Sequence, residues 1–367
     1  VSLSGGLDSR AVVGAIDKKH YPITTITFSF PDIDKSAIIA KEVANKKETV
    51  HKQFEIKPDF LADYAEKAVY LTDGMLNLVH FHEISILDEI RKYSDIVFNG
   101  WGCEDTVKGQ FLNKKILLSK DDNELSVILF KKFMTANKRD RSLLFSQNYY
   151  NKINYLAFKS LQKELGKSKN KLPVNRSDYF VFQNRERRSI HIANSVYQRS
   201  KFECEEPFTD NDFVDFSLKI PPELRCNGWI YFKFLKKLSP ELSKIPVSPA
   251  GIHINVPSIL YKIYSLKKAG MRKFRNIIRI KTQGLIKIPF KDDYPDYGEW
   301  IRTNERLKKW VEGILLDERT LNRKYFNRDF ILKMVNDHMS YKKEYTQLIF
   351  ILLTFELWCR IFMEEKR

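Results

Sequence analysis

Cysteine is scarce in this chain: 367 residues carry four, Cys103, Cys204, Cys226 and Cys359, with no CxxC pair among them. That spacing excludes a zinc ribbon and a disulfide scaffold, and leaves buried packing thiols in a reducing, cytoplasmic setting as the expectation. No apolar run approaches the roughly 20 residues of a membrane span. The Walker pattern GxxxxGK[ST] is missing, which excludes a P-loop grip on a γ-phosphate. Internal repeats and low-complexity tracts are absent as well. His51, His80, His82, His191 and His253 show no metal-ligand spacing, since His-Phe-His is too short for a helical pair. Acidic residues are in deficit, 46 against 63 Lys and Arg, for a net charge of +17. Because the basic residues are scattered, they read as a lysine-rich solvated surface rather than a nucleic-acid footprint.

What is present is globular: 43% hydrophobic and 13% aromatic residues, enough for about two to three domains' worth of core at this length. Over residues 1–110 short β-like runs (VSLS, ITTITFSF, VHKQFEI, DIVFNG) alternate with helical patterns near 8–19, 34–46 and 59–92. This alternation predicts an α/β fold, a doubly wound and mostly parallel sheet in which ligands sit beyond the carboxyl ends of the strands. From about 111 to 367 helical periodicity dominates, predicting a helical C-terminal portion. Residues 262–291 form the densest basic stretch, with apolar residues interleaved; it reads as a solvated amphipathic helix and loop, a membrane or RNA surface being the alternative.

The segment VSLSGGLDSRAVVGAI opens the chain. Two glycines and small hydroxyl residues at a helix start expose backbone N–H groups, so the turn can wrap an anion. Asp8, one place past Leu7, is a candidate magnesium ligand. The motif SGGLDS resembles the pyrophosphate loop of the PP-loop ATP pyrophosphatases, which split ATP between its α- and β-phosphates. EVANKKETVHKQFEI (42–56), NGWGCEDTVKGQF (99–111), EEPFTDNDFVDFSLKIPPELR (205–225) and LLTFELWCRIF near the end are similar, in order and spacing, to segments of the synthetase domain of asparagine synthetases. The resemblance implies ATP and Mg²⁺ as cofactors and a small carboxylate, aspartate or an analogue, activated as its adenylate for attack by ammonia or an amine. It places pyrophosphate on Ser4, Gly5, Gly6, Leu7, Asp8 and Ser9, adenine and ribose beside Ser29, Phe30, Asn99 and Gly100, metal on Asp8 and Glu104, and charge chemistry on Asp8, Glu104 and Asp105.

The resemblance also has departures. The second loop usually reads SGEGxDExFGGY; here Trp101 replaces its glutamate, and the Asp-Glu pair is reversed as Glu104 and Asp105, which could alternatively cap a helix start. A family loop like QKTG supplies a lysine that this chain replaces with SPAG, leaving Lys244, Arg187 or Arg188 as substitutes or as plain surface charges. Glu203 matches a family glutamate, whereas Glu205 stands where the family has an arginine, arguing for a different substrate. The glutaminase half, with its leading cysteine, is not in the sequence, and Val1 reads as mid-strand, so the expectation is a domain of a longer chain with a glutaminase domain or other ammonia source upstream. Three readings follow: an amidotransferase or ligase forming AMP and pyrophosphate, a degenerate relative that binds ATP without synthesis, and a PP-loop enzyme modifying RNA.

Overall fold

The structure, a computed structural model, describes residues 1–367 except 32–34, 135, 249–250, 255, 257, 289–294 and 365–367, and describes the backbone alone for 189–194, 258–262 and 265. Strand β1 (Thr24–Ser29) pairs in parallel with β2 (Val50–Glu55), and β3 (Ile96–Phe98) in parallel with β4 (Glu203–Glu205). β-Branched and aromatic residues dominate β1, whose Thr25, Ile26 and Thr27 are all buried, while β2 alternates toward solvent. Where one continuous sheet is expected, the ladders are two separate pairs. Residues 1–3 lie between them, because the Ser2 N–H donates to the Phe98 carbonyl at 2.9 Å and the Leu3 N–H to the Ile26 carbonyl at 2.7 Å. The lateral order is therefore β2, β1, residues 1–3, β3, β4.

Helix α1 (Asp8–Ala15) follows residues 1–7 directly and stops short of the expected residue 19. Asp17 instead caps a separate turn, accepting from the Lys19 N–H at 3.0 Å. Helix α2 (Lys35–Lys46) crosses between β1 and β2, and α3 (Phe60–Thr72) follows β2; the helical pattern beyond it breaks at Asp73, which takes the left-handed conformation, into the short turns Leu78–His80 and His82–Ile86 and the helix Leu87–Arg91.

Packing runs across position 110. The main core joins Ile26, Phe30, Leu61, Val69 and Val97 to Ile301, Leu315, Ile331 and the closing helix Thr346–Phe362. Each such buried Leu, Ile or Phe contributes roughly 1.5–3 kcal/mol. A second cluster, Leu7, Ala11, Val12, Cys103, Val107, Phe208, Tyr231, Leu235 and Val247, lies beneath both glycine-rich loops and fixes them on a common apolar floor. Residues 111–367 are mostly helical, as expected, and include a wide-turn π-type segment over Val181–Ile192. Such segments recur near functional sites. Among the described residues no helix is long and apolar enough to cross a membrane.

Candidate functional site

The first loop is self-supporting. The Ser4 N–H donates to Ser9 Oγ at 3.0 Å, the Gly5 N–H to Ser36 Oγ at 2.9 Å and the Gly6 N–H to Ser4 Oγ at 3.2 Å. The amides expected to stand uncovered are thus engaged by hydroxyls. An anion at this turn would have to displace these hydroxyls as the amides' acceptors. Leu7 precedes the helix without a side-chain cap and sends its own side chain into the apolar floor; Asp8 occupies the first turn, where the helix dipole favours negative charge.

The two loops meet at Gly100. A Cβ there would lie 2.6 Å from the Ser9 nitrogen and 2.7 Å from the Asp8 carbonyl carbon, so only glycine lets the second loop rest on the start of α1. Gly5 is pressed from its other side, with a virtual Cβ 2.6 Å from the Ser248 Cβ, and the Ser248 N–H donates to the Gly5 carbonyl at 3.0 Å. Arg10 locks this arrangement from below. Its guanidinium is buried and donates to the carbonyls of Ile245 and Pro246 at 2.8 Å each, of Leu242 at 3.1 Å and of Gly5 at 3.4 Å. Burial lowers its pKa to about 10, still charged at neutral pH.

Sequence reasoning missed the cation at this junction. Lys108 Nζ lies 3.2 and 3.4 Å from the two Asp8 oxygens, and 6.0 Å from the centre of the buried Tyr231 ring. Burial would depress the lysine pKa, but Asp8 and then Glu104 outweigh it and raise it. Burial raises the Glu104 carboxyl, with Lys108 opposing and Asp8 reinforcing, so Glu104 shares the electrostatic surroundings of Asp8. Gln110 braces it: its N–H donates to the Glu104 carbonyl at 2.8 Å, and its amide, in the orientation its neighbours require, donates to Glu104 Oε1 at 2.9 Å. Counted along the second-loop motif, Lys108 and Gln110 stand at a glycine and the tyrosine of FGGY, a signal that the alignment of motifs alone could have raised.

Asp105 belongs to a different group. Arg185, on the π-type segment, donates to Asp105 Oδ2 at 2.9 Å and to Glu186 Oε1 at 2.5 Å. Burial first, then the neighbouring Glu186, pushes the Asp105 carboxyl up to about 9. Glu104 and Asp105, adjacent in the chain, thus send their side chains into different clusters.

Ser29 and Phe30 do lie at the carboxyl end of β1, but Ser29 Oγ accepts from Gln53 Nε2 at 3.1 Å and the Phe30 ring is buried against Phe28, His82 and Trp300. The Asn99 side chain also turns inward, donating to Gln198 Oε1 and the Cys204 sulfur at 2.8 Å, beside a buried Glu83 whose pKa burial raises. Neither Phe30 nor Asn99 offers its side chain to the crevice. Of the expected substitute cations, Lys244, Arg187 and Arg188 are exposed, and none bonds to either loop among the described residues. Trp101 is 38% exposed, and Glu203 and Glu205 face solvent on β4. Pro249 and Ala250 of the SPAG stretch lie outside the described residues.

Asp8 and Glu104 have the hard-oxygen chemistry that suits one face of a magnesium ion arriving on nucleotide phosphates. They do not form a cage: among the described residues no three His, Cys, Asp or Glu side chains are grouped to hold a metal.

The asparagine synthase family model matches residues 1–241 and 283–360. The chain is 22% identical to asparagine synthetase [glutamine-hydrolyzing] 1 of Bacillus subtilis (strain 168), in an alignment covering 99% of this chain and 56% of that protein. It thus spans about half the length of the curated relative. With the family match covering most of its residues on both sides of the site, this chain belongs to the asparagine synthase family.

Proposed function

We propose that the chain is the ATP-using part of a carbon–nitrogen ligase that activates a small carboxylate, aspartate or an analogue, as its adenylate, releasing pyrophosphate, for attack by ammonia or an amine. The observation that carries this reading is the contact at Gly100, which sets the second loop on the first turn of α1 beside Asp8 and Lys108. The lateral order of β2, β1, residues 1–3, β3 and β4 supports a doubly wound sheet, with its reversal of strand order between residues 1–3 and β3, where such folds bind nucleotides.

In this reading the loop of Ser4, Gly5, Gly6, Leu7, Asp8 and Ser9 holds the departing phosphates through N–H groups, hydroxyls and the α1 terminus. Ser29, Phe30, Asn99 and Gly100 flank the nucleoside through the strand ends rather than through the Phe30 and Asn99 side chains. Lys108 supplies the fixed positive charge that SPAG does not. Asp8 and Glu104 hold a magnesium ion borne by the nucleotide, and bound there it neutralises phosphate charge as a Lewis acid. No residue need act as a nucleophile, because the substrate carboxylate itself displaces pyrophosphate.

A second reading, a homologue that binds nucleotide without synthesis, is favoured by the ion pair of Lys108 with Asp8, which occupies the candidate metal ligand. Pyrophosphate release from magnesium-ATP across a panel of amino and dicarboxylic acids separates the two. The proposal expects one acid to accelerate release and Asp8→Ala to slow it about 100-fold, the scale of a lost transition-state contact. Nucleotide binding with no acid-dependent release selects the second reading, and absence of nucleotide binding overturns both.

A further inference from the structure

The helix Ser258–Lys281 lies in the gap between the two stretches matched by the family model, and its polarity is inverted. It contains eight lysines and arginines and no acidic residue. Arg279 is buried and donates to Asp296 Oδ2 at 2.7 Å and Glu344 Oε2 at 2.6 Å, while Arg275 approaches Asp296 at 3.4 Å. Arg275 and Arg279 thus hold the helix to the body. Ile263, Leu266, Gly270, Phe274 and Ile277 fall within an arc of about 80° on the roughly opposite side, and the four apolar side chains among them are exposed, Leu266 at 72%. Beyond the helix, Leu285 at 89% and Ile286 at 54% extend the apolar line past the turn at Gly284.

We propose that this helix is a docking surface for an anionic lipid bilayer, lying in the plane of the headgroups. An aliphatic and aromatic stripe flanked by Lys267 and Lys273 and ended by Lys281, all exposed, is what an interfacial helix presents: apolar residues enter the acyl boundary while the lysines meet lipid phosphates. A second copy of this chain is disfavoured, because pairing the stripe with itself sets lysine against lysine. Single-stranded RNA calls for successive aromatic stacking platforms, whereas this side carries one ring, Phe274, among aliphatic side chains.

Sedimentation of the full chain with vesicles tests this. The chain should pellet with vesicles of equal parts phosphatidylglycerol and phosphatidylcholine, remain in solution with phosphatidylcholine alone, and be released by added salt. The double change Leu266→Asp with Phe274→Asp should weaken vesicle binding at least about tenfold without shifting the melting temperature, because both side chains are exposed. Lys267→Glu with Lys273→Glu should abolish the preference for phosphatidylglycerol. A wild-type chain that stays in solution with both vesicle types overturns the proposal. So does light scattering that shows a dimer dispersed by the Asp changes, or an acidic protein that alone binds the stripe.

Discussion

The two glycine-rich loops of the site solve the same problem by different means. The first, residues 4–9, is built mostly from backbone amides and hydroxyls that bond to one another, with Ser36 and the 242–248 strap reaching in at Gly5, so its motif stays readable. The second, residues 99–110, is organised by charged side chains: Lys108 on Asp8, and Arg185 on Glu186 with the Asp105 carboxyl beside it. Backbone geometry tolerates little change, whereas a charge can be supplied from any element that reaches. That difference explains how the second loop can lose its family glutamate and still close on the first.

The sharpest way to break the comparison is at the contact itself. Gly100→Ala places a methyl 2.6 Å from the Ser9 backbone nitrogen, where no side chain can yield. Overpacking of this kind costs about 1–3 kcal/mol, and we expect nucleotide affinity by calorimetry to fall at least about 100-fold, since the two loops no longer meet. Gly166→Ala, with nothing within 4 Å of the added methyl, is the matched control and should leave binding unchanged.

An intermediate effect is expected at the ion of the second loop. Lys108→Met leaves Asp8 without its counter-ion and should weaken ATP binding roughly 10- to 100-fold, as removal of one partner of a half-buried charge pair does. Lys244→Met should change nothing. Tighter ATP binding by Lys108→Met would mean that the lysine blocks Asp8, and would select the binding-only reading's view of the site.

The last test leaves binding aside and reads stability through a pH dependence. With its carboxyl pushed up to about 9, Asp105 keeps a proton in the folded chain that the unfolded chain releases near pH 4. Its contribution is whole below about pH 4 and is lost as pH rises through about 9, so melting temperature should decline across that window. Asp105→Asn keeps the neutral form permanently, and the difference from wild type should vanish at low pH and grow toward pH 9.

Much of this was legible in residues that act locally. SGGLDS announces its turn because glycine and serine at those places have few other uses, and ITTITFSF and VHKQFEI announce β1 and β2 through β-branched residues. Lys108 stood out only as a departure from the motif; its pairing with Asp8 was not legible, because the partner is 100 positions away and their meeting depends on the packing of Gly100. The inward turn of Phe30 and Asn99 was hidden for a related reason: a residue at a strand end can face crevice or core, and only the core partners, His82 for one and Gln198 for the other, decide. In residues 262–281 the amphipathic period was readable, but the direction in which it points was not, since Asp296 and Glu344 reverse the usual assignment.

The Arg10 guanidinium addresses carbonyl oxygens alone, at Gly5, Leu242, Ile245 and Pro246. Every amino acid carries that acceptor, so the strap closing over the first loop is recognised by its path and not by its composition. The clasp therefore depends on the backbone path of 242–248, while Leu242, Ile245 and Val247 answer separately to the core beneath, and a chain cut before 242 would strand a charged group in the interior and lose the loop with it.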